Sequence, residues 1–476
     1  MLFSDLNFII SPLILIFLAL TILIIDFYLK NKILLIYLSS LGLAVSSAVL
    51  VYQWIFMETG QYVFFETLIF DKFYILFALT LNLVSLVIIL AFSDYILRKI
   101  NFISEFLSLL LLSLIGSTFV IMAVDFVTIY LSLELASLPI IALIAFGRGK
   151  FSLEASFKYL ILASFSTGIF LFGLVYLYGS TGSLELMNIQ ISTISPSLII
   201  GLVFLFIGVA FKLSIAPWHM WTPDTYQGSP MPIVTYLSTV SKIAGFALII
   251  RIFMHIFSYE FDKNNIIIFL SVISIISMTI GNFGALIQKD LKRLLAYSTI
   301  AHAGYMLIGV VALISTSSAA STTIFYILGY AMSNLTIFFT FQYMINISSS
   351  TSIDSLKGMF HQYPLVSIIF SLGILSLLGI PATAGFMGKV LLFGSAINNG
   401  LLWLAIIGVI NSFVSAYYYL GLLRNMFIST EEVKKSDNNN GINYLFFSLI
   451  TSAGVLTLGI FPGILLSVLD EVISKL

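Results

Sequence analysis

The 476-residue chain contains no cysteine and only four histidines. Without cysteine it can form neither disulfides nor thiolate-ligated iron–sulfur and zinc sites. The histidines are too scattered along the sequence to indicate a metal site: His219, His255, His302 and His361. A glycine-rich phosphate-binding loop is also missing, which excludes an ATP-driven pump of the P-loop class. Any electron chemistry linked to this chain is therefore expected on another chain.

Charge is equally scarce. Charged residues make up 9% of the chain and hydrophobic residues 60%, with a mean hydropathy of +1.11. A soluble domain of that composition could not cover its surface with polar groups. The sequence instead consists of apolar runs of about 20 residues, the length that crosses ~30 Å of hydrocarbon. The first run is of full length and has no basic segment before it, so we expect a retained helix rather than a cleaved signal peptide.

We predict an all-α polytopic membrane protein with about fourteen transmembrane helices. The expected spans are 6–29, 33–56, 72–97, 105–124, 126–147, 153–178, 197–221, 230–254, 264–287, 291–314, 319–345, 364–398, 400–427 and 444–469. The twelfth is too long for one straight crossing, so we expect a broken helix near Pro381, and likewise a break of the seventh near Pro217. The polar segment 429–441 is expected to be a solvated loop.

The basic residues predict the orientation of the chain. If the first loop lies inside, fourteen lysines and arginines fall on the inner side and four on the outer side. Because basic residues concentrate in cytoplasmic loops, this arrangement is favoured, and it places both termini outside.

A few charges fall within the spans instead of at their ends. They are Glu134, Lys212, Lys242 and Lys389, with Lys158 a shallower addition. Each costs about 2.5–3.5 kcal/mol at mid-bilayer on insertion scales. An ion pair with Glu134 accounts for the burial of one lysine as well as a functional role does. It cannot account for all three deep lysines, because there is only one deep acid. A buried lysine without an acidic partner can lose its proton, so the pattern favours a proton relay. The scarcity of carboxylates within the spans also favours protons over Na⁺ as the transported ion, because sodium sites prefer carboxylate and carbonyl oxygens.

Two of these lysines accompany the predicted helix breaks. Proline frees backbone carbonyls, and within a membrane such groups are tolerated only where they face protein or water. Lys212 lies five residues before Pro217, and Lys389 lies eight residues after Pro381. A lysine beside a helix break thus occurs in span 7 and again in span 12, which predicts two five-helix repeats, spans 4–8 and 9–13. Because each repeat has an odd number of helices, the two copies are expected to be inverted in the membrane. The expected domains are therefore 1–100, 105–255, 264–428 and 444–476.

Two further residues are candidates for the relay. Lys242 lies midway along the eighth span, near the predicted boundary between the repeats, where a connecting residue belongs. His302 lies close to Ser298, Thr299 and Tyr305 and could extend the relay. A hydrogen-bonded packing role explains this histidine equally well.

Several motifs resemble the antiporter-like subunits of the proton-pumping NADH:quinone oxidoreductase, respiratory complex I. They are AFKLSIAPWHMWTPDTYQGSP, VSKIAGFALIIRIF, YLSLELASLPIIALIAF, EASFKYLILASFSTGIFLFG, IGNFGALIQKDLKRLLAYSTIAHAGYMLIG and LLGIPATAGFMGK. The resemblance covers about 70–470 and is strongest to subunit N, because WTPDTYQGSP and a lysine at 389 match that form better than its sisters.

The resemblance implies a role for each buried charge. Glu134 and Lys212 would form the inlet-side pair with Lys158 assisting, Lys242 would be the central relay, and Lys389 the outlet-side residue. It also implies that NADH, FMN, iron–sulfur clusters and quinone are bound by the parent complex and that this chain holds no cofactor and no metal. Sister antiporter-like subunits and the lipid bilayer would be its partners, with no nucleic acid.

Three hypotheses remain open from the sequence. The first is a proton-translocating subunit of complex I in a bacterial plasma membrane, with an organellar inner membrane, or a plastid-type complex fed by ferredoxin, as variants. The second is an Mrp-type cation/proton antiporter subunit, which the 219–230 signature disfavours. The third is a membrane scaffold whose buried charges serve assembly alone.

Overall fold

The computed structural model describes residues 5–189, 195–256, 263–429 and 441–475. The expected solvated loop at 429–441 lies almost wholly outside the described residues. In the first part of the chain the helices are α1 Ile10–Asp26, α2 Ile33–Phe56, α3 Lys72–Ala91, α4 Ser93–Lys99, α5 Ile103–Met122, α6 Phe126–Ala145, α7 Lys150–Thr181, α8 Pro196–Lys212, α9 Trp221–Gly228, α10 Met231–Ser238 and α11 Val240–Ile256. A short antiparallel hairpin, β1 Gln61–Val63 and β2 Leu68–Phe70, precedes α3.

The remaining elements are also helical. They are α12 Asn264–Leu286, α13 Leu291–Leu313, α14 Ala319–Ser348, α15 Met359–Gln362, α16 Pro364–Leu378, α17 Ala384–Asn398, α18 Leu402–Ile428, α19 Ile442–Ile460 and α20 Pro462–Ile473. The single-turn 3-10 helices are Leu6–Ile9, Leu186–Asn188 and Ile353–Leu356.

The prediction of a polytopic all-α membrane protein is confirmed. In the described part of the chain, 12 helices are long and apolar enough to cross a membrane, counting α10 and α11 as one span. The seventh and twelfth expected spans are each divided, into α8 and α9 and into α16 and α17. Both predicted breaks are therefore present, and with these two broken spans the expected set is complete.

The chain divides into two compact units. The first comprises Met1–Leu213, Gly228–Asp262 and Val472–Leu476. The second comprises Ser214–Gln227 and Lys263–Glu471. The residues that follow the break after Lys212 thus pack with the later helices of the chain, although the helix before the break belongs to the first unit.

One helix pair is built in the same way in each unit. In the first, a Cβ added to Gly116 of α5 would lie 2.2 Å from the backbone nitrogen of Ala136 in α6. In the second, a Cβ on Gly281 of α12 would lie 2.4 Å from the backbone nitrogen of Ala301 in α13. Any side chain at either position would meet backbone, so glycine allows both close helix approaches.

The start of the second helix of each pair is also the same. The Asp125 side chain accepts the Thr128 N–H at 2.8 Å at the start of α6. The Asp290 side chain accepts the Arg293 N–H at 3.1 Å at the start of α13. These N-caps satisfy backbone donors that a helix end leaves unpaired. Gly116 and Gly281, Ala136 and Ala301, and Asp125 and Asp290 are each separated by the same number of residues. The same helix-pair arrangement therefore occurs once in each compact unit. The exact domain boundaries stay a prediction.

Candidate functional site

The structure brings Glu134 and Lys212 together within the first unit. Glu134 lies midway along α6, and Lys212 is the last residue of α8. The Lys212 Nζ lies 3.8 Å from the Glu134 Oε1, and the two side chains are 11% and 22% exposed. The distance is that of an ion pair rather than a hydrogen bond. The carboxylate has a second partner, because the Thr167 hydroxyl donates to Glu134 Oε1 at 2.7 Å.

Lys212 also borders a small cavity, which has a mostly apolar lining. The cavity has a volume of about 30 Å³, which is enough to hold a water molecule. The polar residues that border it are Lys212, Tyr159, Ser113, Ser117, Ser137 and Ser241. The Lys212 ammonium makes no hydrogen bond with the described residues. The arrangement therefore combines a charged donor, a small space bordered by several hydroxyl residues and a nearby carboxylate.

Lys212 owes its position to the break that follows it. Basic side chains in the last turn of a helix interact favourably with its negative end, and α8 ends at Lys212. Ser214 then adopts a φ of 59°, and the Ala216–Pro217 peptide bond is cis. Helix α9 begins only at Trp221.

Lys242 lies at a helix interruption that the sequence did not predict. It is the third residue of α11 and is 1% exposed. Thr239 separates α10 from α11, with φ −117° and ψ −75°. The Thr239 hydroxyl donates to the carbonyl of Thr235 at 2.7 Å. All three deep lysines thus lie near an interruption of their helix.

Lys389 lies in the second unit, where its ammonium group bonds to oxygen atoms around the twelfth-span break. The Lys389 Nζ donates to the carbonyls of Leu377 and Leu378 at 3.0 and 2.8 Å. It also donates to the Ser412 hydroxyl of α18 at 2.8 Å. Pro381 lies in the connection between α16 and α17 that this lysine spans.

His302 belongs to a hydrogen-bonded cluster of tyrosines in the second unit. Its Nδ1 lies 2.7 Å from the Tyr326 hydroxyl, and its Nε2 lies 3.2 Å from the Tyr419 hydroxyl. Tyr419 in turn bonds to Ser298 at 2.5 Å. A hydroxyl–imidazole–hydroxyl chain of this kind can carry a proton because each group both donates and accepts. The sequence indicated His302 as a candidate for the relay but did not indicate Tyr326 or Tyr419.

Lys158 is placed differently from the deep lysines. It forms an ion pair with Glu154 at 2.6 Å, one turn earlier in α7, and its side chain is 44% exposed. Lys158 is therefore more exposed than Lys212, Lys242 and Lys389.

A buried ion pair between Asp71 and Arg251 was also missed. Arg251 donates to both carboxylate oxygens of Asp71, at 2.8 and 3.0 Å. The Arg251 side chain is 0% exposed. Asp71 and Arg251 each lie near the end of a predicted span, so the sequence did not indicate that either side chain is buried. The described residues contain no group of three or more His, Asp or Glu side chains able to hold a metal ion.

The chain resembles known proteins in both sequence and structure. Residues 123–415 match the family described as NADH:quinone oxidoreductase/Mrp antiporter, TM. NADH-quinone oxidoreductase subunit N 1 of Solibacter usitatus is 37% identical over 76% of this chain and 75% of its own. A chain of respiratory complex I from Thermus thermophilus with bound aureothin is similar in structure, with 31% identity, a TM-score of 0.81 and coverage of 96% and 98%. A chain of the Mrp complex from Dietzia shares the fold at 18% identity, with a TM-score of 0.85 and coverage of 99% and 97%.

Proposed function

Because this chain belongs to the NADH:quinone oxidoreductase/Mrp antiporter family, we propose that it translocates protons in the membrane arm of an NADH:quinone oxidoreductase. Electron transfer from NADH to quinone would take place on other subunits, which would hold FMN and the iron–sulfur clusters. Sister antiporter-like subunits would be its neighbours. The proposed location is a bacterial plasma membrane with both termini outside, as the basic residues predict.

The observation that carries the proposal is the ion pair of Glu134 and Lys212 beside a small cavity that several hydroxyl residues border. Two unit charges about 4 Å apart interact by about 4 kcal/mol at an effective dielectric constant of about 20. Moving Glu134 away from Lys212 would remove that attraction and favour release of the lysine proton. Moving it back would favour uptake. A conformational change driven by electron transfer could therefore load and unload this site.

The other candidate residues would carry the proton onward. Lys242 would be the central carrier, and Lys389 the outlet-side carrier of the second unit. His302, with its two tyrosines, would extend the proton path within that unit. Lys158, the more exposed lysine of α7, would assist the ion pair of Glu134 and Lys212.

The intact complex tests the proposal directly. We would purify it with Glu134→Gln or Lys212→Met and measure NADH:quinone reductase activity and protons pumped per NADH. Both variants are expected to assemble and to lower that ratio. Asp354→Asn is the matched control, because Asp354 pairs with Lys357 at 3.2 Å but its side chain is 79% exposed. Wild-type pumping ratios in both variants would contradict the proposal.

The Mrp-type antiporter remains the alternative, since the family description names both kinds of protein. The complex I subunit and the Mrp-type subunit would differ in the other subunits with which they assemble. Purification from native membranes without reductase activity, and with cation-dependent proton exchange, would favour the antiporter.

A further inference from the structure

The C-terminal end of α16 is completed by a side chain. The carbonyls of residues 375 and 376 accept the N–H of Gly379 at 2.9 and 3.1 Å. The next two, of Leu377 and Leu378, accept from Lys389 Nζ. The last carbonyls of a helix have no partner within the helix, and inside a membrane an unpaired carbonyl is costly. Lys389 therefore satisfies two groups that the break would otherwise leave exposed to an apolar environment.

A third oxygen completes the surroundings of the ammonium group. We define the oxygen cage as the carbonyl oxygens of Leu377 and Leu378 and the hydroxyl oxygen of Ser412. All three lie 2.8–3.0 Å from Lys389 Nζ, the range of charge-assisted hydrogen bonds. An ammonium group has three N–H donors, one for each oxygen. The Tyr305 ring adds a cation–π contact, with Nζ 5.2 Å from its centroid.

The chemistry of the cage suits a monovalent cation. Its ligands are neutral oxygens, whereas calcium and magnesium sites in proteins rely on carboxylates. It lies at the negative end of a helix, and in broken transporter helices such unwound carbonyls coordinate small cations. The backbone leaves room for this group because Gly379 has a φ of +93°, and a Cβ there would lie 3.1 Å from the Lys389 Cδ.

We propose that the break between α16 and α17 is a binding site for one monovalent cation of ammonium size. Lys389 occupies this site with its own tethered ammonium group and thereby keeps free cations out of it. Removing the side chain opens the cage to ammonium, or to potassium and rubidium, which are of similar size. The proposal concerns ion binding and does not rest on proton translocation by this chain.

The test is equilibrium binding of radioactive rubidium to the purified intact complex. Lys389→Ala opens the cage, whereas Lys389→Met fills it with an apolar side chain of similar length. Lys212→Ala removes another deep lysine, whose ammonium has no hydrogen bond with the described residues. If Lys389→Ala fails to assemble, Lys389→Ser replaces it, because its short side chain also leaves the cage open.

We expect one more rubidium ion per chain in Lys389→Ala than in wild type, Lys389→Met or Lys212→Ala. Ammonium should displace this ion at least about tenfold more effectively than tetramethylammonium, a difference of about 1.4 kcal/mol, because only ammonium has N–H donors. Adding Ser412→Ala should weaken the binding. Equal rubidium binding in the Ala and Met variants at 389, or equal displacement by the two competitors, would overturn the proposal.

Discussion

Replacing Arg251 by methionine should strongly destabilise the chain, because it breaks a buried ion pair. The Asp71 carboxylate would lose the guanidinium that now donates two hydrogen bonds, at 2.8 and 3.0 Å. Breaking a buried ion pair by removing one partner typically costs about 3–5 kcal/mol. The aromatic contact with Phe73, whose ring centroid lies 4.8 Å from the guanidinium carbon, would also be lost.

The size of the effect can be stated as a temperature. An unfolding entropy of about 2.1 cal/mol/K per residue gives about 1 kcal/mol per degree for a chain of 476 residues. Arg251→Met should therefore lower the unfolding temperature of this chain in the purified complex by about 3–5 °C. Thermal unfolding of the purified complex measures the shift.

A double variant separates the ion pair from general damage. Arg251→Met with Asp71→Asn removes both charges, and the asparagine oxygen can still accept the Tyr74 N–H at the start of α3, now 2.7 Å from Asp71. We expect the double variant to be more stable than Arg251→Met alone. Lys357→Met, at a partly exposed pair, should cost less than about 1 kcal/mol. Independent, additive losses in the double variant would refute the reasoning.

Three further predictions concern other contacts. Gly281→Ala should reduce the stability of the complex by about 1–3 kcal/mol through overpacking, whereas Gly394→Ala should not, because a Cβ there meets nothing within 4 Å. Tyr419→Phe should lower protons pumped per NADH with normal assembly, since its hydroxyl bonds both Ser298 and His302; an unchanged ratio would remove it from the proton path. Arg293→Met should loosen α9, because Arg293 donates to Asp224 at 2.5 Å. Faster proteolysis around 221–228 would show this, and unchanged proteolysis would count against it.

The helix breaks could be predicted because their cause is local. Proline removes a backbone donor, and Pro217 and Pro381 each lie beside a deep lysine, which together indicated the two breaks. Proline alone is not sufficient, because Pro139 lies inside the continuous helix α6. The interruption at Thr239 has no such residue. There the helix is divided within a run of hydroxyl residues, one of which bonds to the backbone of its own preceding turn.

The partners of the buried charges were harder to predict. Glu134 could be expected near a lysine because it is the one acid near the middle of a predicted span. Arg251 and Asp71 are 180 positions apart, and Tyr419 lies 117 positions from His302. Contacts over such separations depend on how the helices pack, which hydropathy does not determine. Two of the three hydrogen-bond partners of Lys389 are backbone carbonyls, and no residue type in the sequence indicates them.

The duplicated glycine contacts give the chain an internal reference. Gly116 against Ala136 and Gly281 against Ala301 are chemically the same contact made twice in one polypeptide. Spectroscopic probes placed at matching positions beside the two contacts would therefore share the same type of helix contact, the same lipid and the same temperature. A signal that changes at one position and not at the other during turnover would identify the moving half without any second protein for comparison.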